Sequence, residues 1–226
     1  MDSTVIKQIG DKRCFISYQG KNGPELYWPV ASNGEKRVYK VKEYIKSYTN
    51  KPFTLIAFEN DDWNADLSPW AAEAAFGTED FAGNGKSTLN WLTDECLPEI
   101  SEGGNRYIGG YSLAGLFSLW SFFETDAFNG AASCSGSLWF PGWIDYAEKF
   151  SKVKSGSIYL SLGISEERTK NRFLSKVGDA TRRQLEILEE SEKIGSCVLE
   201  WNDGGHFNDP EQRTAKGFAW LIEHRQ

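Results

Sequence analysis

From residue 53 to the end, short β-type runs and helical patterns alternate without a break, and that alternation restricts the architectures open to the chain. The apolar runs Phe53–Phe58, Asn105–Gly109, Ala131–Cys134, Ser157–Leu162 and Cys197–Trp201 read as strands. Ser87–Glu99, Leu113–Glu124, Trp143–Phe150, Ala180–Ile194 and Pro210–His224 read as helices. Such alternation predicts a mainly parallel sheet with helices on both faces. Phe53–Phe58 and Ile158–Leu162 are nearly unbroken apolar runs, as central strands buried on both sides require. Two earlier runs, Cys14–Tyr18 and Glu25–Pro29, are separated only by the turn-forming stretch Gln19 to Pro24. They read as an antiparallel hairpin at one edge. No repeat or linker divides the chain, so one α/β domain over residues 1–226 is expected.

Charge narrows the partners. Lys and Arg number 25 against 32 Asp and Glu, a net charge of −7. That balance removes the long-range attraction that draws proteins to phosphate backbones or anionic lipid, so no nucleic-acid or membrane partner is expected. The uncharged stretches Tyr107 to Phe123 and Ala127 to Ile144 are interrupted by glycines and serines and are shorter than a spanning helix. Met1 to Arg13 contains no apolar stretch of signal-peptide type. The four cysteines, Cys14, Cys96, Cys134 and Cys197, form no C-x-x-C pair, which points to reduced core thiols and a cytoplasmic location.

Residues Asn105 to Gly115 read N-R-Y-I-G-G-Y-S-L-A-G: a strand closing on Gly109 and Gly110, then Ser112, then a strongly apolar helix. A serine nucleophile on a sharp strand-to-helix turn needs this context, with small residues two before and two after it where strand and helix nearly touch. Gly110 and Ala114 supply them, Ala114 in place of the glycine of the strict G-x-S-x-G pattern. A helix beginning at Leu113 also aims free N–H groups at the place where an oxyanion would develop. By itself the string equally fits a polar strand end before a buried helix; its partners decide.

Only two histidines are present. His224 falls in the last turn of the final helix, where capping carbonyls is its natural role. His206 follows the last strand in the loop Asn202-Asp203-Gly204-Gly205-His206-Phe207-Asn208, freed by two glycines. A helix start follows, with Asp209 as N-cap, Pro210 first and Gln212 third. His206 is therefore the candidate base. The orienting acid should stand in a strand-end loop between serine and histidine, and Glu166, three residues after Gly163, is the leading candidate. Glu167, Asp145 and Asp203 are the alternatives.

With these residues in place the chain resembles the α/β-hydrolases, and within them the esterase family that includes esterase D-like enzymes and siderophore esterases. The resemblance rests on Gly110-Tyr111-Ser112-Leu113-Ala114-Gly115, on Phe128 to Ser137, on Gly163 to Glu166 and on Gly204-Gly205-His206, and in element order spans residue 50 to the end. The order Ser112, Glu166, His206 is also the nucleophile–acid–base order of that fold. The resemblance implies ester hydrolysis through an acyl-enzyme on a small-molecule ester, with no metal or organic cofactor. No His-Gly dipeptide follows Phe53–Phe58, where Glu59-Asn60-Asp61-Asp62-Trp63 stands instead. The oxyanion donors are then the backbone N–H groups of Leu113 and Asn60, provided the neighbouring carboxylates point away. At this length no large cap domain is expected over the cleft.

Two features compete for attention. Gly85-Lys86-Ser87-Thr88 mimics the end of a phosphate-binding loop, but Asp80 replaces the required glycine, so Ser87 is expected merely to cap a helix. Among the aromatics Trp63, Trp70, Trp139, Phe140 and Trp143, those in the Trp139 to Trp143 loop could form a stacking wall; Tyr111, Trp63, Trp139 and Trp143 are the candidate substrate contacts. The same three catalytic residues also suit acyl transfer, thioester cleavage or peptide hydrolysis, and a non-catalytic binding protein could share the fold.

Overall fold

A computed structural model describes residues 3–75, 77–150 and 154–224. Eight strands form one sheet, in chain order β1 (Ser3–Ile9), β2 (Lys12–Gln19), β3 (Glu25–Ala31), β4 (Phe53–Asn60), β7 (Arg106–Tyr111), β8 (Gly130–Cys134), β9 (Gly156–Gly163) and β10 (Ile194–Asn202). A separate two-stranded ribbon is made of β5 (Ala71–Ala72) and β6 (Phe81–Ala82). The helices are α1 (Glu35–Tyr48), α2 (Trp63–Asp66), α3 (Gly85–Trp91), α4 (Leu97–Ile100), α5 (Leu113–Glu124), α6 (Trp143–Phe150), α7 (Val177–Glu189) and α8 (Pro210–Glu223). A π-helical turn, Leu92–Cys96, joins α3 to α4.

Across the sheet the order is β1-β2-β4-β3-β7-β8-β9-β10, with β3 and β4 and all strands from β7 onward parallel and β1 and β2 antiparallel at one edge. The expected hairpin between Cys14–Tyr18 and Glu25–Pro29 is therefore not formed. The antiparallel partner of β2 at the edge is β1, and β3 lies on the far side of β4. The cause is α1, a helix from which Val38, Val41 and Ile45 are buried. It supplies the crossover that a parallel β3–β4 pair requires. The antiparallel edge stands, built from different strands.

Two apolar layers flank the sheet. On one face α1 and α8 bury Val38, Val41, Ile45, Phe218, Leu221 and Ile222 against Trp28, Leu55 and Tyr107. On the other, α5 contributes Leu116, Phe117, Leu119, Trp120 and Phe122 to a core shared with Ile56, Ile108, Ile158 and Leu160. The mean hydropathy of α5 matches its position: every residue from Leu113 to Phe123 is buried.

Two helix caps differ from expectation. Ser87 is no cap; α3 begins at Gly85, whose missing Cβ would stand 2.7 Å from the Ser68 carbonyl oxygen. Asp209 occupies the N-cap of α8 in the left-handed region and makes no side-chain cap, while Gln212 reaches the Tyr48 hydroxyl instead. The helix expected to reach Ile194 stops at Glu189, and Ile194 opens β10. All four cysteines carry free thiols, three buried and Cys197 half-buried. Among the described residues no helix is long and apolar enough to cross a membrane, and no cluster of three His, Cys, Asp or Glu could hold a metal ion.

Candidate active site

Ser112, Glu166 and His206 all follow the carboxyl ends of parallel strands, β7, β9 and β10, where open α/β sheets place their ligands. Ser112 is held at φ 59°, ψ −123°, a strained conformation for a residue with a side chain. The turn is tight: a Cβ on Gly110 would lie 2.6 Å from that of Ala114, so the strand can pass only as glycine there. The Ser112 amide is anchored to the Cys134 carbonyl, 3.1 Å away, and its own carbonyl accepts from Gly115, Leu116 and Ser137. Ser112 thus stands, half-buried, at the carboxyl end of β7.

His206 Nε2 lies 3.0 Å from Ser112 Oγ and Nδ1 lies 2.7 Å from Glu166 Oε2. A carboxylate only accepts, so Nδ1 carries the proton and Nε2 presents its lone pair to the serine hydroxyl. The loop bearing His206 is shaped locally. Gly204 adopts φ 88°, Asn208 Oδ1 accepts from the Gly205 amide at 2.8 Å, and the Tyr111 hydroxyl donates to the His206 carbonyl at 2.7 Å. Burial pushes the Tyr111 phenol up to about 12, which keeps it a donor.

The Glu166 carboxylate is 2 % exposed. Burial alone would raise its pKa, but hydrogen bonds from His206, from Ser135 Oγ at 2.7 Å and from the Gly163 amide at 2.7 Å hold it below the usual carboxylate range. Arg213 Nη1 from α8 adds a fourth partner at 3.0 Å. The alternative acids lie elsewhere: Glu167 pairs with Arg182 at 2.6 Å, and Asp145 and Asp203 are exposed, Asp203 touching Arg213 through its carbonyl alone. His224 caps the last turn of α8 at the Trp220 carbonyl, 2.9 Å away.

Leu113 opens α5 directly after Ser112, so its N–H is free of the helix ladder. Asn60 is another matter. It belongs to β4, and β3 stands between β4 and β7. The Thr54 amide donates across to Pro24, so by the two-residue alternation of a strand the Asn60 N–H also turns into the β3–β4 ladder, where Asn60 pairs with Ala31. The assignment of Asn60 as oxyanion donor is corrected on that ground. The neighbouring carboxylates do point away: Glu59 accepts from the Gly34 amide, Asp61 from the Ser32 hydroxyl, and Asp62 caps α2.

Two cavities meet at Ser112 and His206. One, about 240 Å³, is lined by Trp28, Pro29, Arg37, Trp63, Tyr111 and Phe207. The other, about 400 Å³, is mostly apolar and is lined by Ser137, Trp139, Arg168, Leu174, Val177 and Phe207. Of the aromatics singled out in the sequence, Tyr111, Trp63 and Trp139 reach the cleft. Trp143 does not: it is fully buried, donates to Gln184 Oε1 at 3.0 Å and stacks on Tyr146. Trp28, Phe207, Ser135, Ser137 and Arg213 were not anticipated. Phe207, 93 % exposed beside His206, was the most readable of these, since an aromatic in a glycine-rich loop has no core to fill.

No protein-family model and no curated relative matches the sequence. Solved structures do. The siderophore hydrolase EstA from Aspergillus nidulans superimposes with a TM-score of 0.74 at 15% identity, over 99% of this chain and 94% of that one. The enterobactin and salmochelin hydrolase IroE gives 0.63 at 16% identity, over 98% and 93%. A dienelactone hydrolase from Anabaena variabilis gives 0.60 at 13% identity, over 100% and 98%. At such identities the likeness speaks to architecture, and the architecture is the α/β-hydrolase fold.

Proposed function

We propose that this α/β-hydrolase-fold chain is a serine carboxylesterase, with Ser112 as nucleophile, His206 as base and Glu166 as orienting acid. The observation that carries the reading is the unbroken relay of 3.0 Å and 2.7 Å contacts from the Ser112 hydroxyl through His206 to Glu166, at a strained serine facing two cavities. Names among its structural neighbours, siderophore hydrolases and a ferulic acid esterase, support ester hydrolysis.

In this mechanism Ser112 Oγ attacks the ester carbonyl while its proton passes to His206 Nε2. Glu166 stabilises the imidazolium, which then protonates the leaving alcohol. Water, deprotonated by the same imidazole, releases the acid. The Leu113 N–H is one oxyanion donor. The second comes from the end of β3: the Glu25 amide donates to Asn105 on the β7 side, and alternation turns Ala31 the same way. Pro29, between them, has no N–H, which explains why pairing with β7 ends at Tyr27 and leaves this strand end free. Each such donor contributes about 3 kcal/mol in comparable sites. The substrate we assign is a small-molecule ester with moderately bulky groups on both sides of the carbonyl, one of them apolar or aromatic against Trp139. The mechanism asks for no cofactor.

A panel of p-nitrophenyl esters, from acetyl to long acyl and feruloyl, tests the proposal. Hydrolysis that vanishes in Ser112→Ala is the expected result. Equal rates in wild type and variant would refute it.

A further inference from the structure

We infer that Arg213 is a positioning residue that locks the acid and the histidine loop into one unit, so that the relay from Ser112 to Glu166 keeps its geometry. The inference rests on the triad reading above. Arg213 is 2 % exposed, an unusual place for a guanidinium. Its Nη1 lies 3.0 Å from Glu166 Oε1, 3.2 Å from Ser135 Oγ and 3.3 Å from the Tyr111 hydroxyl, and its Nη2 donates to the Asp203 carbonyl at 2.7 Å. One rigid fork thus touches four segments: β7 through Tyr111, the turn after β8 through Ser135, the loop after β9 through Glu166, and the histidine loop through Asp203.

The division of labour on Glu166 follows from this. Oε1 takes Arg213, Ser135 and the Gly163 amide, and Oε2 is left for His206 alone. Tyr111, itself touched by Arg213, donates to the His206 carbonyl. Both partners of the Nδ1 contact are therefore held from the same side chain. A lysine could keep the charge, but a single ammonium cannot serve four acceptors in this fork geometry.

The test is kcat and KM, measured separately, for Arg213→Gln and Arg213→Lys, with folding checked by thermal unfolding. In both folded variants kcat is expected to fall at least about tenfold while KM stays within about twofold, because the relay loses its geometry and the cavities beside it do not. A folded Gln or Lys variant with wild-type kcat, or one whose loss lies in KM alone, overturns the inference. Should Arg213→Gln fail to fold, the Lys variant decides alone by the same criterion. Failure of the triad reading looks different: Ser112→Ala would then hydrolyse esters as fast as the wild-type protein.

Discussion

The Cβ of Ala114 stands 2.6 Å from where a Cβ on Gly110 would be, so the strand and helix that flank Ser112 are in contact through a missing side chain. Gly110→Ala must force them apart. It is expected to cost about 1–3 kcal/mol in urea denaturation and to abolish most activity by tilting Ser112 away from His206. The reverse change, Ala114→Gly, restores the common glycine pattern, keeps activity and costs no more than about 1 kcal/mol.

Among the carboxylates, Glu166→Gln is expected to lower kcat/KM on the order of 10³-fold, while Asp145→Asn and Asp203→Asn stay within about twofold of wild type. The Gln variant also leaves the Arg213 guanidinium buried without its anion, a loss of about 3–5 kcal/mol in chemical denaturation. Full activity in Glu166→Gln would remove it from the relay.

Two pH effects should separate. The pKa of Glu166 is depressed in the folded protein, so its contribution to stability is complete above the ordinary glutamate value of 4.5 and is lost as pH falls through the lower folded value. Denaturation midpoints of wild type are expected to drop more steeply below that value than those of Glu166→Gln. On the proposed mechanism kcat/KM is expected to fall toward acid pH along a single-proton limb, since a base that takes the Ser112 proton must itself be neutral. A profile flat down to roughly pH 5 contradicts that role.

The aromatics divide by burial. Trp143→Ala is expected to destabilise the fold by about 3–5 kcal/mol and to affect all esters alike through loss of folded protein. Trp139→Ala, in the larger cavity but also packed on Phe81 and Phe140, should raise KM for aryl esters severalfold and cost less stability than Trp143→Ala. An unchanged KM for aryl esters in Trp139→Ala would remove Trp139 from the substrate contacts.

Much of this was readable because it is local. The elbow around Ser112, the loop glycines before His206 and the strand-ending Gly163 before Glu166 each state a backbone requirement within a few residues. What escaped was non-local. Helix α1 has apolar residues at helical spacing, but its many charges mask them, and without it β2 and β3 read as a hairpin. Strand β1 exposes both Val5 and Ile6, so it shows no alternation. Asn60 was misassigned for the same reason: only the insertion of β3 beside β7 reveals which strand end meets the serine. Arg213 has no sequence signal, since an arginine on a polar helix face ordinarily points to solvent.

The proposed chemistry requires a reactive Ser112. Intact-mass and peptide analysis after incubation with a fluorophosphonate measures it most directly. One stoichiometric adduct is expected on the peptide carrying Ser112, absent in Ser112→Ala and strongly slowed in His206→Ala. A folded protein that stays unlabelled, or one labelled elsewhere, would contradict it.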